Sequence, residues 1–255
     1  MKTVVFGEKH SDTIMLIHGG GLSWWGYREA SQILADEFRM VLPVLDGHAG
    51  SDRDFTSIED NAAEIIKYID ENLGGRVKLL GGLSLGGQVV LEMLSQRGDI
   101  CENAVIESAL VIPSKMTAAL LPSSLKMSYG LIQKEWFARK QFKVLKIKDD
   151  LFEDYFRDTK EISIENMTAF LTANQRYELK SELNQASARV FVFAGGKEIG
   201  SVKRSAELIH KAVQGSSIEV LDGLYHGEFS MRYAEKYADK IMDICEKNGQ
   251  TDKRL

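Results

Sequence analysis

The chain has 255 residues, 44% of them hydrophobic, which is enough to bury a full core in one domain with an insertion. Its net charge of −5 offers no basic surface for nucleic acid, and no apolar run approaches the roughly 18 residues of a membrane-spanning helix. The first residues have too short an apolar run for a signal peptide. We therefore expect a cytoplasmic protein with no nucleic-acid or membrane partner. The two cysteines, Cys101 and Cys245, lie far apart, which favours buried thiols over a disulfide or a zinc site.

The first half of the chain alternates between short apolar runs, which predict strands, and apolar residues at helical spacing. The predicted strands are 4–6, 13–17, 40–44, 77–80 and 104–106. The predicted helices run between Ala30 and Phe38, from about Ile58 to Leu73, and from the turn at Ser84 to about Gln96. The second helix has the clearest start, because either Thr56 with Glu59 or Ser57 with Asp60 fits a capping box.

The alternation stops at Pro113 and resumes near residue 185. Residues 113–184 are rich in Met, Leu, Phe and Trp mixed with charges, and they predict several helices inserted into the parent sheet. Strands are predicted again at 190–193 and 218–221, each followed by a helix. This order predicts an α/β fold, with a mostly parallel sheet flanked by helices on both faces. The core domain would comprise residues 1–112 and 185–255.

A glycine-rich turn joins the fourth predicted strand to the helix that follows it. Residues 82–86 read Gly-Leu-Ser-Leu-Gly, a G-x-S-x-G pattern in the strand–turn–helix context that exposes a serine hydroxyl. Glycine is needed two positions before and after such a serine, because the strand and the helix nearly touch there. Glycine turns between strands and helices are common in α/β proteins, so the pentapeptide alone leaves both interpretations open.

Two more polar residues follow later strands. Glu198 comes after the strand at 190–193, and His226 comes after the strand at 218–221. The carboxyl ends of parallel strands carry the site in folds of this kind, so Ser84, Glu198 and His226 are expected at the same edge of the sheet. Their order along the chain, serine then acid then histidine, is that of α/β-hydrolases.

Over nearly its whole length the chain resembles the α/β-hydrolase superfamily, more narrowly its capped serine hydrolases. Residues 18–21, His-Gly-Gly-Gly, are similar to the family's oxyanion loop, and residues 82–86 match its nucleophile elbow. Residues 46–52 are similar to its Asp-x-x-Gly-x-Gly-x-Ser turn, with Ala49 departing from the usual makeup. Residues 195–198 match its acid loop, except that the family usually has Asp where this chain has Glu. The insertion at 113–184 stands where the family places its helical cap, or lid.

The resemblance implies a catalytic role for five residues. Ser84 would attack a carbonyl carbon while His226 takes its proton as general base. Glu198 would hold the imidazole in the required tautomer and stabilise the imidazolium. The amides of Leu85 and Gly20 would bind the oxyanion of the tetrahedral intermediate.

Other residues are assigned supporting or alternative roles. Gly21, Leu22 and Trp25, in and beside the glycine loop, would contact the substrate. Glu107 is the rival for the acid, because a minority of such folds place the acid after the preceding strand. His18 and His48 are expected to hold backbone carbonyls through their ring N–H groups.

The expected activity is hydrolysis of a carboxylic ester or thioester with a small to medium apolar group. The same residues would also suit C–C bond or amide hydrolysis, and a hydrolase scaffold can serve as a non-catalytic ligand-binding protein. The intact Ser84 and His226 argue against the last alternative. No cofactor or metal is expected, since five scattered histidines show no ligand spacing. The expected partner is a small-molecule substrate, and a second copy of the chain in a homodimer stays a candidate.

Overall fold

A seven-stranded sheet forms the centre of the computed structural model, which describes residues 1–246. The strands are β1 Thr3–Phe6, β2 Thr13–Ile17, β3 Arg39–Pro43, β4 Val77–Leu83, β5 Cys101–Glu107, β6 Arg189–Gly195 and β7 Ser217–Leu221. Their order across the sheet is β1-β3-β2-β4-β5-β6-β7. Neighbouring strands are parallel except β1, which pairs antiparallel with β3. The predicted α/β fold with a mostly parallel sheet is confirmed.

Helices cover both faces of this sheet. In chain order they are α1 Arg28–Leu34, α2 Ile58–Asn72, α3 Leu85–Gln96, α4 Lys115–Ile132, α5 Glu135–Leu145, α6 Phe152–Glu161, α7 Ile164–Arg176, α8 Gly200–Ala212, α9 Glu228–Arg232 and α10 Ala234–Glu246. One apolar cluster packs α2, α3 and α8 against one face, and a second packs α1 and α10 against the other. Alternate residues of β2 enter the two clusters, because successive side chains of a strand point to opposite faces.

The end of α1 differs from the sequence-based prediction. The start of α2 decides between the two predicted capping boxes. Helix α1 ends at Leu34, so the prediction that it reaches Phe38 is wrong. Phe38 is buried from a turn, and a buried turn residue at helical spacing has the same pattern as a helical one. At the start of α2, the Ser57 hydroxyl accepts a hydrogen bond from the Asp60 amide at 3.0 Å. Ser57 is therefore the N-cap.

The strands at the centre of the sheet are longer than their apolar runs predict. β4 continues through Gly81 and Gly82 to Leu83, and β5 already starts at Cys101. Glycine is depleted in strands because it has no side chain to pack, so the apolar pattern of β4 ends before the strand does. Both cysteines are buried free thiols, as predicted. No helix within residues 1–246 is long and apolar enough to cross a membrane.

Helices α4 to α7 lie between β5 and β6, within the predicted insertion at residues 113–184, which we call the insertion. Helix α7 joins it to the core. The Asn166 side chain accepts a hydrogen bond from the Phe55 amide at 2.8 Å. The buried Gln88 side chain donates to the Asn174 backbone carbonyl and accepts from the Asn174 side chain. Helix α4 packs on α7, and α5 packs on α4 and α6. Helix α7 therefore bonds the insertion directly to α3 and to the turn at Phe55.

Candidate active site

Ser84 stands on a sharply bent turn between β4 and α3. Its φ of 54° and ψ of −111° lie where residues other than glycine are rarely found. A Cβ atom on Gly82 would lie 2.3 Å from the Gly86 carbonyl oxygen, and one on Gly86 would lie 2.1 Å from the Ile17 carbonyl oxygen. Both glycines are therefore required for the strand and the helix to approach this closely, and the bend places Ser84 at the start of α3.

His226 and Glu198 form a hydrogen-bonded pair at the same edge of the sheet. The distance from His226 Nδ1 to Glu198 Oε2 is 2.8 Å. The Glu198 side chain has no exposed surface, whereas the His226 side chain is 44% exposed. The second carboxylate oxygen, Oε1, accepts hydrogen bonds from the Gly195 amide at 2.8 Å and from the Ser108 hydroxyl at 2.6 Å.

These contacts fix the protonation of the pair. Burial acts to raise the pKa of the Glu198 carboxyl, but hydrogen bonds from His226, Ser108 and the Gly195 amide outweigh it and hold the pKa below its ordinary value. Glu198 is therefore ionised near neutral pH and accepts the N–H of His226 Nδ1. With the proton on Nδ1, the Nε2 atom of His226 carries a lone pair and can accept a proton.

Ser84 and His226 line the same cavity, whose volume is about 90 Å³. The other lining residues are Gly19, Gly20, Leu22, Leu83, Leu145, Ile147 and Met231. Apart from Ser84 and His226, every side chain in this set is apolar. Leu145 and Ile147 belong to the insertion, so the insertion contributes one side of the cavity.

Leu85 and Gly20, the two predicted oxyanion donors, both lie beside Ser84. Leu85 is the first residue of α3, and the first amides of a helix have no acceptor within it. The helix dipole adds partial positive charge at the same point. Gly20 lines the cavity and lies under the Phe170 ring of α7, which a Cβ on Gly20 would approach to 3.3 Å. The Gly20 backbone is thus held between the cavity and the insertion.

Gly21 and Trp25, two of the three residues predicted to contact substrate, do not line this cavity; Leu22 does. The Gly21 amide donates a hydrogen bond to His48 Nε2 at 3.0 Å. The Trp25 ring is buried, and its Nε1 donates to Asp158 of α6 at 2.7 Å. Trp25 therefore joins the core to the insertion, because a buried indole N–H needs an acceptor.

His18 and His48 hold together the glycine loop at residues 18–21 and the turn at residues 45–48, both beside the site. In each ring Nδ1 lies within 3.0 Å of a backbone carbonyl oxygen. Each Nε2 accepts an amide N–H, from Leu45 in the case of His18 and from Gly21 in the case of His48. Burial lowers the pKa of His18 to about 4 and, together with the nearby His18, that of His48 to about 3. Both rings are therefore neutral, with the proton on Nδ1.

Replacing His48 by glutamine is expected to weaken the dependence of stability on acid pH. His48 has a lowered pKa in the folded state, so the unfolded chain binds more protons below pH 6.5 and the free energy of unfolding falls as the pH drops. Between pH 7.5 and 5 the wild type should lose about 2 kcal/mol more than His48→Gln. Urea unfolding of both proteins at the two pH values measures this difference. Equal losses of unfolding free energy in the two proteins would contradict the lowered pKa of His48.

Ser108 is a site residue that the sequence analysis missed. Its φ of 58° is rare for serine. Its hydroxyl donates a hydrogen bond to Glu198 and accepts one from the Gly227 amide at 3.3 Å. Its own amide donates to the Phe193 carbonyl at 2.9 Å. Ser108 directly follows Glu107, the last residue of β5, and this position at the carboxyl end of a central strand is the signal that could have found it.

Glu107 lies beneath the site and is not paired with His226. It is buried, and its Oε1 accepts a hydrogen bond from the Ser230 amide at 3.3 Å. Burial raises the pKa of the Glu107 carboxyl to about 7, against the opposing effect of Ser230. The structure therefore brings Glu198, and not Glu107, to His226 Nδ1.

Within the described part of the chain no three His, Cys, Asp or Glu side chains are grouped as ligands for a metal ion.

Comparisons with known proteins agree with this architecture. The family model described as "Alpha/beta hydrolase family" matches residues 14–240. No curated protein matches the sequence. Among solved structures, the bromoperoxidase from Bacillus anthracis has a TM-score of 0.81 at 16% identity, covering 96% of this chain and 94% of that one.

Two further solved structures are similar over almost the whole chain. A thermophilic esterase from Thermogutta terrifontis has a TM-score of 0.77 at 19% identity, covering 96% of this chain and 93% of that one. An alpha/beta hydrolase family protein from Desulfitobacterium hafniense has a TM-score of 0.77 at 25% identity, covering 95% and 99%. Because the family model spans nearly the entire sheet and its flanking helices, the chain is a hydrolase that belongs to the alpha/beta hydrolase family.

Proposed function

We propose that the protein is a serine hydrolase that cleaves a carboxylic ester or thioester with a small apolar acyl group. The observation that carries this proposal is the cavity shared by Ser84 and His226, with His226 bound through Nδ1 to the ionised Glu198. A serine hydroxyl is a weak nucleophile at neutral pH unless a base takes its proton. In this proposal the three residues form the catalytic triad.

The reaction would proceed through an acyl-enzyme. Ser84 Oγ attacks the carbonyl carbon as His226 Nε2 takes the hydroxyl proton, and Glu198 stabilises the imidazolium. The amides of Leu85 and Gly20 donate to the oxyanion of the tetrahedral intermediate. His226 then gives its proton to the departing alcohol or thiol. A water molecule, deprotonated by His226, hydrolyses the acyl-enzyme and frees Ser84.

The lining of the cavity supports an apolar acyl group. The space next to Ser84 is surrounded by Leu22, Leu145, Ile147 and Met231, and within residues 1–246 no Asp, Glu, Lys or Arg lines it. A volume of about 90 Å³ favours a group of a few carbon atoms. Since Leu145 and Ile147 come from the insertion, we infer that the insertion acts as a cap over the substrate.

This function is tested with p-nitrophenyl acetate, butyrate and octanoate and with a matching series of thioesters. We expect hydrolysis of the acetyl and butyryl compounds, with kcat/KM lower by about tenfold for octanoyl because its chain exceeds the cavity. No hydrolysis of any ester or thioester above the buffer rate would contradict the proposal. It would leave a ligand-binding protein on a hydrolase scaffold, or a different scissile bond.

Leu145→Ala is expected to shift this preference towards longer acyl groups. Leu145 lines the cavity, and its truncation enlarges the space for the acyl chain. The octanoate to acetate ratio of kcat/KM should rise by about tenfold. Val144→Ala is the matched control, because Val144 is the preceding residue on α5, 76% exposed, and does not line the cavity. An equal ratio in the two variants would show that Leu145 does not limit acyl length.

Ser108→Ala is expected to lower kcat by about tenfold with little change in KM, because Glu198 loses one of its charge-assisted hydrogen bonds. The pKa of Glu198 then rises, and the acid limb of the kcat profile moves to higher pH. Steady-state kinetics between pH 5 and 9 measure both effects.

Ser205→Ala is the control for Ser108→Ala. Ser205 is equally buried, and its hydroxyl also accepts an amide hydrogen bond, from Val111 at 2.9 Å, away from His226. This variant should lose stability without a shift in the pH profile. If both variants behave alike, Ser108 has only a structural role.

A further inference from the structure

Helices α4 and α5 carry a charge opposite to that of the rest of the chain. Residues 115–148 contain seven lysines and one arginine but only one glutamate, a net charge of +7. Because the whole chain has a net charge of −5, the remaining residues carry −12. Averaging over the chain conceals this separation. The segment that carries α4 and α5 is therefore strongly cationic on an otherwise acidic protein.

Helix α4 is apolar well beyond the stripe that it buries. Its buried residues, Ala118, Leu125 and Ile132, recur every seven positions and form a narrow line along the helix. Large apolar side chains elsewhere on its surface are exposed, namely Met116, Leu120, Met127 and Leu131. Met127 is 86% exposed. A helix that is apolar on most of its surface is normally covered by something apolar.

Helix α5 also has an exposed face that combines apolar and cationic side chains. Trp136, Lys140 and Val144 are spaced four residues apart and so lie on one side of the helix. All three are exposed, and Lys140 Nζ is 5.2 Å from the centre of the Trp136 ring. Exposed Trp beside Lys is the combination that is enriched where a protein meets the boundary between water and lipid.

Most of the positive charge on these helices is not neutralised by the protein. Arg139 pairs with Glu135, and Lys148 pairs with Glu29. The remaining six cations are exposed and form no ion pair within residues 1–246: Lys115, Lys126, Lys134, Lys140, Lys143 and Lys146. They are therefore free to contact an external anion.

We propose that α4 and α5 form a docking surface for a membrane that contains anionic lipids. The exposed Met, Leu, Trp and Val side chains enter the boundary between headgroups and acyl chains, while the lysines contact lipid phosphates. Apolar insertion and cationic attraction together give the two signals that stable membrane attachment requires. The surface does not fit a second copy placed face to face, because the six unpaired lysines of one copy would repel those of the other. Nucleic acid offers no apolar layer to cover Met127 and its neighbours.

The docking surface reaches the Ser84 cavity. Leu145, the last residue of α5, lines that cavity and is also exposed. Lys146 follows it, and Lys146 Nζ and Lys197 Nζ each lie 5.2 Å from the centre of the exposed Tyr225 ring, next to His226. A membrane bound at α4 and α5 therefore lies beside the cavity. The expectation that the chain has no membrane partner rested on its net charge and on the lack of a long apolar run. Neither observation bears on attachment to the surface of a membrane.

Vesicle flotation tests the docking surface. The full chain is mixed with vesicles of phosphatidylcholine alone or of phosphatidylcholine with phosphatidylglycerol, at low and at high salt. We expect at least about tenfold more bound protein on the anionic vesicles, and release as salt rises. Equal binding to both vesicle types, or none, would overturn the proposal.

Two pairs of substitutions locate the binding. Lys126→Glu with Lys143→Glu removes attraction, and Met127→Ser with Val144→Ser removes apolar insertion, and each pair should reduce binding by about tenfold. The matched control is Lys67→Glu with Lys211→Glu, which changes the net charge equally on exposed positions of α2 and α8 and should bind as wild type. If the control falls as much as the first pair, only net charge matters and the surface is not α4 and α5.

Two readouts separate this proposal from its alternatives and from the proposed function. Ser84→Ala should bind vesicles as wild type does, so a failure of ester hydrolysis leaves the binding result intact. The thermal midpoint of each variant checks its fold, and the substituted Lys, Met and Val side chains are all exposed. A dimer on size-exclusion chromatography that Met127→Ser with Val144→Ser dissociates, without vesicle binding, would assign the surface to a second copy and overturn membrane docking.

Discussion

Replacing Ser84 by alanine is expected to lower kcat for p-nitrophenyl acetate by at least about 10⁴-fold. The variant keeps the cavity and the oxyanion donors but has no hydroxyl to form the acyl-enzyme. The backbone at this position is strained in the wild type, with φ at 54°, and alanine tolerates the same conformation about as well as serine. KM should change little, because the apolar lining that binds the acyl group is intact. Steady-state kinetics and the thermal midpoint together measure this result.

Ser95→Ala is the matched control for Ser84→Ala. Ser95 lies on α3, the same helix that Ser84 precedes, and its hydroxyl donates to the Leu91 carbonyl at 2.9 Å. Turnover in this variant should equal that of the wild type. A Ser84→Ala protein that is folded and retains turnover within about tenfold of wild type would place the nucleophile elsewhere.

Replacing Glu198 by glutamine is expected to lower kcat by about 10³ to 10⁴-fold. Glutamine is almost the same size, but its amide nitrogen can donate to His226 Nδ1, which favours the tautomer with the proton on Nε2. The base then has no lone pair directed at Ser84. The buried position also loses a negative charge that stabilises the imidazolium. Kinetics over a range of pH measure the effect, and activity should not recover at any pH.

Glu107→Gln provides the control that decides which acid belongs to the triad. Glu107 does not bond His226, so turnover should stay within about threefold of wild type. Burial raises the pKa of Glu107 from its ordinary value of 4.5 to about 7, so between these pH values the folded state binds the proton more tightly than the unfolded chain. Ionisation above pH 7 therefore destabilises the wild type, and Glu107→Gln should gain up to about 3 kcal/mol relative to wild type between pH 4.5 and 8. Loss of activity in Glu107→Gln alone would make Glu107 the acid.

The order of strands and helices was predictable because apolar periodicity and glycine turns report directly on local structure. Ser84 could be selected for the same reason, since the requirement for Gly82 and Gly86 is local. Ser108 could not be selected from its neighbours in sequence. Its contact with Glu198 joins positions 90 residues apart and depends on how two loops approach in space. A serine after a strand has no pattern that distinguishes this role.

Trp25 and the cationic helices show two other limits of sequence reasoning. Trp25 follows the glycine loop closely in sequence, but the chain turns its ring into the core, where Asp158 satisfies the indole N–H. Proximity in sequence therefore does not report whether a side chain enters the cavity. The charge of α4 and α5 was present in the sequence, but a net charge of −5 for the whole chain gave no sign of it. Charge must be counted by surface element to be informative.

The activation of Ser84 by His226 and Glu198 is tested most directly by labelling with a fluorophosphonate, followed by mass spectrometry of the intact protein and its peptides. Attack by an activated serine oxygen on phosphorus displaces fluoride and leaves a stable adduct. We expect a single adduct on the peptide containing Ser84, none in Ser84→Ala, and labelling slower by at least about 100-fold in His226→Gln and Glu198→Gln. No adduct on the wild type, or an adduct that persists in Ser84→Ala, would contradict the assignment of Ser84 as the activated nucleophile.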